Sequence, residues 1–179
     1  MKMRMLEEKD IPVCLGWYNW YILNSRATFE TEPLSLEAFT ERVHGIRKRY
    51  PWIIAEENGK PCGYAYLGTF NSRPAYDWTA DVSIYLDPQE RGHGIGHALM
   101  SELERIAILD GYRNLVSIVT SGNEASEHLH KACGYEAKAL FEDFGYKTGK
   151  WLGVTYFVKK LPFEKKGEPE EPCNRNPYQ

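Results

Sequence analysis

Three features of this chain combine residue types and spacings that bear on chemistry: a carboxylate inside an apolar strand, a histidine on a short helix, and a glycine-dense turn. The carboxylate is Asp81, in "WTADVSIYL". The two-residue period of a strand puts Trp78, Ala80, Val82, Ile84 and Leu86 on one face, and Thr79, Asp81, Ser83 and Tyr85 on the other. A lone carboxylate is costly to bury, so Asp81 is a satisfied structural group, a solvent-facing one, or a general base. Tyr85 shares its face, either as a plain core tyrosine or as a phenol that orients an amine or assists a leaving group. His130, in "HLHKACGY", reads from the residues alone as an exposed or core-satisfied imidazole.

The turn is "YLDPQERGHGIGHALM", residues 85–100, with Gly92, Gly94 and Gly96 at alternate positions before a helix pattern. Glycine admits positive φ and lets a ligand approach backbone with no Cβ in the way. At a helix start, such a loop aims several N–H groups at one point and adds the positive end of the helix dipole, which makes an anion site. Three glycines flanked by Gln89 and Arg91 favour a pyrophosphate over a plain connection. The spacing G-x-G-x-G is not the dinucleotide G-x-G-x-x-G, and the lysine-serine/threonine pair of a P-loop is missing. His93 and His97 stand at i, i+4 and His128 and His130 at i, i+2. Neither pair has an HExxH frame or a cysteine partner, so no metal is expected.

The elements that must position these groups follow from periodicity and turn chemistry. "MKMRML" is a weak first strand. Asp10 with Pro12 opens a helix over "IPVCLGWYNWYILNS", and Ser35 caps a second helix running to about Arg49. "WIIAEE" and "CGYAYLG" form a hairpin across Asn58-Gly59. After the polar loop "TFNSRPAY" come the Asp81 strand, the glycine turn and a helix from about Gly94 to Asp110, stopped by Gly111. "NLVSIVT" is a buried strand and "EASEHLHKAC" a helix, and two last strands surround "FGYKTGKW". The order β-α-α-β-β-β-α-β-α-β-β predicts a mixed α/β (α+β) domain, with a mainly antiparallel sheet, one βαβ unit and flanking helices. One domain is expected over 1–161, followed by a polar, proline-rich, mobile tail over 162–179.

Composition bounds the partners. The chain has 179 residues, 42% hydrophobic and 26% charged, with a net charge of −3, which gives no electrostatic footprint for nucleic acid. No apolar run reaches membrane-spanning length and "MKMRMLEEKD" has no signal-peptide core, so no membrane association is expected. Cys14, Cys62, Cys133 and Cys173 are scattered, which favours a reducing, cytoplasmic setting.

"QERGHG" resembles the Q/R-x-x-G-x-G/A signature of the GNAT N-acetyltransferases, with Gln89, Gly92 and Gly94 at its defined positions. "RYPWIIAE", "AYDWTADVSIYLDP", "HKACGY" and "GYKTGKW" resemble the phosphinothricin N-acetyltransferases within that superfamily, from about Asn19 to Leu161. The resemblance implies the GNAT fold and acetyl-CoA as co-substrate. It implies direct transfer, in a ternary complex and without metal, to the α-amino group of a small amino acid such as phosphinothricin or methionine sulfone or sulfoximine. It assigns the coenzyme to Ile84, Tyr85, Leu86, Gln89, Arg91, Gly92, His93, Gly94, Ile95, Gly96, His97 and Asn123. Asp81 falls where the family has a glutamate base and is one methylene shorter. His130 matches the family histidine, as acceptor of the amine proton or as acid toward the sulfur. Unpaired N–H groups beside Tyr85 and Leu86 would hold the oxyanion. Phe29, Arg73 and Tyr76 match substrate-contacting positions, while Lys147 and Trp151 lie in a hairpin that closes the site. A homodimer is implied. The competing reading is a non-catalytic acyl-CoA-binding or sensing domain, supported only by aspartate in place of glutamate at position 81.

Overall fold

A computed structural model describes residues 1–90, 92–163 and 167–178. The strands are β1 (Lys2–Met5), β2 (Trp52–Glu57), β3 (Lys60–Thr69), β4 (Thr79–Leu86), β5 (Asn114–Thr120), β6 (Glu136–Lys147) and β7 (Lys150–Lys160). The helices are α1 (Ile11–Asn24), α2 (Leu36–Arg47), α3 (Ile95–Asp110) and α4 (Glu124–Ala132). The strands form one sheet in the order β1-β2-β3-β4-β5-β7-β6, antiparallel except where β4 meets β5. The expected mixed sheet with a single βαβ crossover through α3 is therefore the observed one.

Local chemistry accounts for the joints. Asn58 (φ 52°) and Gly59 (φ 75°) both take positive φ, the turn that the right-handed twist of a two-residue hairpin requires. Thr148 (φ 50°) and Gly149 (φ 75°) do the same between β6 and β7. Ser35 Oγ accepts the Ala38 N–H at 3.1 Å and caps α2, which stops at Arg47, short of the expected Arg49. Asp10 is not the cap that its sequence position suggests. It already has helical dihedrals (φ −86°, ψ −18°) in a 3-10 turn, and its carboxylate accepts from Arg4 at 2.6 and 2.9 Å instead. The half-buried guanidinium of Arg4, also bonded to Glu56 at 2.7 Å, is a stronger partner than a helix-end amide.

Each sheet face carries its own core. Ala80 and Val82 of β4 pack with Leu99, Leu103 and Ile106 under α3, and Ile84 and Leu86 lean on the same cluster. Tyr64 of β3 packs with Trp17, Tyr18 and Phe39 under α1 and α2, and Tyr85 leans on that cluster. Asp81 and Tyr85 therefore face the α1–α2 layer, as the strand period requires. Residues 167–178, expected from composition to be mobile, lie against the body. The Cys173 N–H donates to the Asp110 carbonyl at 3.0 Å, and Asn174 Nδ2 donates to the carbonyls of Arg47 (3.1 Å) and Tyr50 (3.0 Å). Tyr178 donates to Glu102 at 2.6 Å.

Candidate active site

The site begins where two parallel strands part. β4 and β5 pair only at Thr79–Asn114, Ala80–Leu115 and Asp81–Val116. Past Asp81, β4 stays with β3 as far as Leu86 while β5 stays with β7 as far as Thr120, so the two diverge. Every second peptide of β4 turns away from β3, by the alternation of an antiparallel pair. The Asp87 N–H bonds the Cys62 carbonyl at 3.0 Å, which fixes the phase: the outward peptides are Val82, Ile84 and Leu86. Two of their carbonyls take side-chain donors, Val82 from Ser117 Oγ at 3.4 Å and Leu86 from Tyr21 OH at 3.0 Å. Beyond Val82, next to the last β5 pair, the outward N–H groups are those of Ile84 and Leu86, while that of Tyr85 turns toward β3.

The opening is a slot of about 490 Å³. Its walls are β4 from Val82 to Leu86 and β5 from Ser117 onward, with the end of α1 (Tyr21, Ser25) on one side and α4 (Asn123, His130) on the other. The glycine turn stands at its mouth, and the three glycines do different work. Gly92 (φ 85°) and Gly94 (φ 75°) take left-handed conformations that a side chain would strain, and nothing lies within 4 Å of a Cβ built on either. They leave the start of α3 bare for a ligand. Gly96 is helical and serves packing, because a Cβ there would come within 3.1 Å of Leu129 on α4. Gln89, His93 and His97 are exposed around this turn, and Ile95 is buried beneath it. Arg91 lies outside the described residues. Asn123 caps α4, its side chain accepting the Ser126 N–H at 3.3 Å.

Asp81 sits at the apex of the divergence. Its carboxylate makes no hydrogen bond or ion pair among the described residues, and burial alone pushes its pKa up to about 7. A carboxylate that is neither satisfied nor freely solvated titrates near neutrality, where a general base works best. Tyr85 is enclosed by the rings of Tyr18, Tyr21 and Tyr64, with centroids 5.1, 5.5 and 5.4 Å away, and burial pushes its phenol well up. It remains a neutral phenol.

His130 is buried beside the rings of Tyr135 (5.2 Å) and Phe157 (5.5 Å). Nδ1 lies 2.7 Å from the Ser126 carbonyl, which only accepts, so the proton is on Nδ1. Nε2 is buried and has no partner among the described residues. Burial holds the imidazole below its usual pKa, hence neutral, with a free lone pair. That tautomer accepts protons and does not donate from Nε2.

The loop between α1 and α2 lines the slot with Ser25, Arg26 and Ala27. Thr120 Oγ1 donates to the Arg26 carbonyl at 2.5 Å, and the buried Lys147 ammonium donates to the Thr28 carbonyl at 2.7 Å. Arg42 holds Glu30 at 2.6 Å. The Phe29 ring packs so close to Gly145 of β6 that a Cβ there would strike it. Arg73 and Tyr76 stay on an exposed loop outside the slot, Tyr76 edge-on to Phe70 at 5.7 Å. Trp151 is exposed beside Tyr146. Sequence reasoning gave no weight to Thr120 or Arg42 and little to Lys147. A buried lysine facing a carbonyl 119 residues earlier leaves no local signature.

Residues 15–135 match the family described as "Acetyltransferase (GNAT) family". The chain is 29% identical to the phosphinothricin N-acetyltransferase of Streptomyces viridochromogenes, over 98% of this chain and 96% of that one. It is 29% identical to the L-methionine sulfoximine/L-methionine sulfone acetyltransferase of Salmonella typhimurium, over 90% and 95%. Among solved structures it superposes on a GNAT superfamily phosphinothricin acetyltransferase of Sinorhizobium meliloti in complex with AcCoA. The TM-score is 0.90 and the identity 33%, over 96% of this chain and 94% of that one.

Proposed function

The chain belongs to the acetyltransferase (GNAT) family and is an N-acetyltransferase, and from that premise we propose that its β4–β5 slot takes acetyl-CoA and that its acceptor is the α-amino group of a small amino acid. The observation that carries this reading is the apex: a carboxylate with no partner among the described residues, pushed by burial up to about 7, at the end of the β4–β5 pairing and facing the α1–α2 layer. The coenzyme fits the residues present. The outward Leu86 N–H suits an amide-bearing arm, and the bare start of α3 suits its pyrophosphate. Acetyl-CoA supplies a thioester carbonyl and a thiolate leaving group.

Asp81 takes the proton of the acceptor ammonium, so that the free amine attacks the carbonyl. The Ile84 N–H, the outward one nearer Asp81 along β4, takes the tetrahedral oxyanion, a fixed dipole that needs no reorganisation. His130, neutral and with Nε2 free, supports proton acceptance over the alternative role of acid toward sulfur. Gln89, His93 and His97 rim the coenzyme's phosphates, while Phe29 and the Lys147-held loop close the acceptor side. Arg73 and Tyr76 contribute only if their exposed loop folds over bound acceptor.

The relatives' names make phosphinothricin, methionine sulfone and methionine sulfoximine the acceptors to try. The test is CoA thiol release with each, for the wild type and Asp81→Asn. Transfer to at least one acceptor, strongly reduced in the variant, is expected; saturable acetyl-CoA binding with no turnover on any amine refutes it. Two further assignments belong here. Strand β6 is a twelve-residue sheet edge bearing exposed Leu140, Phe141 and Phe144, and an apolar edge of that length calls for cover. A second copy is the proposed cover, and Phe144→Asp should shift the species seen by light scattering from dimer to monomer. Free cysteines, three of them buried, fit a reducing cytoplasm. No helix among the described residues is long and apolar enough to cross a membrane.

A further inference from the structure

Gly68 lies directly across β3 from Asp81 and points to the same face of the sheet. The next pairs along that face are Tyr66–Ser83 and Tyr64–Tyr85, so the column of side chains is filled up to Asp81 and then stops. Gly68 itself is buried, yet a Cβ built on it meets nothing within 4 Å. Other strand glycines behave differently. A Cβ at Gly63 would come within 2.8 Å of Leu86, one at Gly145 would strike Phe29, and one at Gly153 would come within 2.9 Å of the Phe141 carbonyl. Those glycines are required by packing, and Gly68 is not. Its φ is ordinary, so backbone strain does not require glycine either.

A glycine inside a strand gives up conformational entropy and side-chain packing, and a common reason is the close approach of another group. At Gly68 what is left is open space over a buried backbone, a recess beside an acid that has no partner among the described residues. We propose that Gly68 is the residue that admits the acceptor: the recess over its α-carbon receives the acceptor's amino group and holds it against the Asp81 carboxylate. The inference rests on the acetyltransferase reading and deepens it, because it names the position that limits the bulk around the reacting nitrogen. The shorter acid and the missing side chain belong together, each leaving room that a glutamate or a larger residue at 68 would occupy. Primary amines on small amino acids enter the recess; secondary amines, and amino acids branched next to the nitrogen, do not.

The test compares wild type, Gly68→Ala and Gly45→Ala. Gly45 is a control on exposed α2, where a Cβ also meets nothing within 4 Å. The readouts are the thermal midpoint, acetyl-CoA affinity by calorimetry, and kcat and KM for each amino acid in the panel. Gly68→Ala should not lower the midpoint and should keep the acetyl-CoA affinity within twofold of wild type. Its acceptor KM should rise at least tenfold, and more for N-methylated or α-branched acceptors, while Gly45→Ala leaves KM, kcat and acetyl-CoA affinity unchanged and raises only the midpoint, as alanine for a helix glycine does. An unchanged acceptor KM in a folded, acetyl-CoA-binding Gly68→Ala overturns the inference while leaving the acetyltransferase reading intact. A lowered midpoint with weaker acetyl-CoA binding would make Gly68 a packing residue and overturns it as well. No turnover by the wild type on any member of the panel removes both readings together.

Discussion

Replacing Asp81 with asparagine should make the protein a much poorer enzyme and, above neutral pH, a more stable one. Burial raises this carboxyl from the usual 3.8 to about 7 in the folded chain. At about 1.36 kcal/mol per pH unit, that difference corresponds to at most ~4 kcal/mol. The sign follows from proton counting. Between pH 4 and 7 the unfolded chain has released this proton and the folded chain still holds it, so the Asp81 contribution to stability falls as pH rises through that window and is flat above it. The asparagine side chain cannot ionise and escapes that loss, although its amide also lies buried without a partner, at a cost of about 1–3 kcal/mol. A net gain of ~1–2 kcal/mol, or roughly 2–8 °C in the thermal midpoint, is expected at pH 8 and none at pH 4. Activity should move the other way, with kcat down by about 10²–10⁴-fold, the usual contribution of a general base. In the wild type, kcat should climb tenfold per pH unit below 7 and level off above it, and in Asp81→Asn that limb should vanish. Thiol-release kinetics and thermal unfolding, both run from pH 4.5 to 8.5, measure all of this. A variant destabilised equally at every pH, with its kcat limb retained, would falsify the account by showing a satisfied structural carboxylate.

The other expectations are shorter. Gly94→Ala places a side chain at φ 75°, which should cost about 1–2 kcal/mol by differential scanning calorimetry and weaken acetyl-CoA binding at least tenfold by titration calorimetry. Lys147→Met removes the ammonium held by the Thr28 carbonyl; amide exchange over residues 25–30 should accelerate and acceptor KM should rise, with acetyl-CoA affinity changed less. Asp110, whose carboxylate accepts the Arg175 N–H at 3.0 Å, is pushed up to about 6 by burial. Its contribution to stability is therefore full below pH 4 and lost by about pH 6. Asp110→Asn keeps an acceptor for Arg175 and should raise the midpoint above pH 6. Asp110→Ala should expose residues 170–178 to limited proteolysis, and an unchanged cleavage pattern would show that the tail is held elsewhere.

The sequence determined what depends on neighbouring residues. Asn58-Gly59 and Gly111 demanded their turns because few side chains tolerate positive φ. Ser35 announced its helix because a hydroxyl one turn before an apolar stripe finds an orphan N–H. The period of "WTADVSIYL" put Asp81 and Tyr85 on a common face, and the alternate glycines marked a helix start left bare of side chains. What the sequence left open depends on distances between remote segments. Whether Asp81 was paired, solvated or poised turned on Gly68 across the sheet and on the three-pair limit of its contact with β5, neither of which lies near it in sequence. The separate duties of Gly92, Gly94 and Gly96 appeared only once Leu129 was seen against the last of them. Asp10 left its expected capping role because Arg4 reached it first, and the tail, polar enough to read as mobile, found carbonyls to satisfy at Arg47, Tyr50 and Asp110. Backbone conformation is a local quantity and desolvation a global one. The chain order therefore specified the elements and the glycine turn, and the tertiary structure decided the protonation of Asp81, the tautomer of His130 and the open space over Gly68.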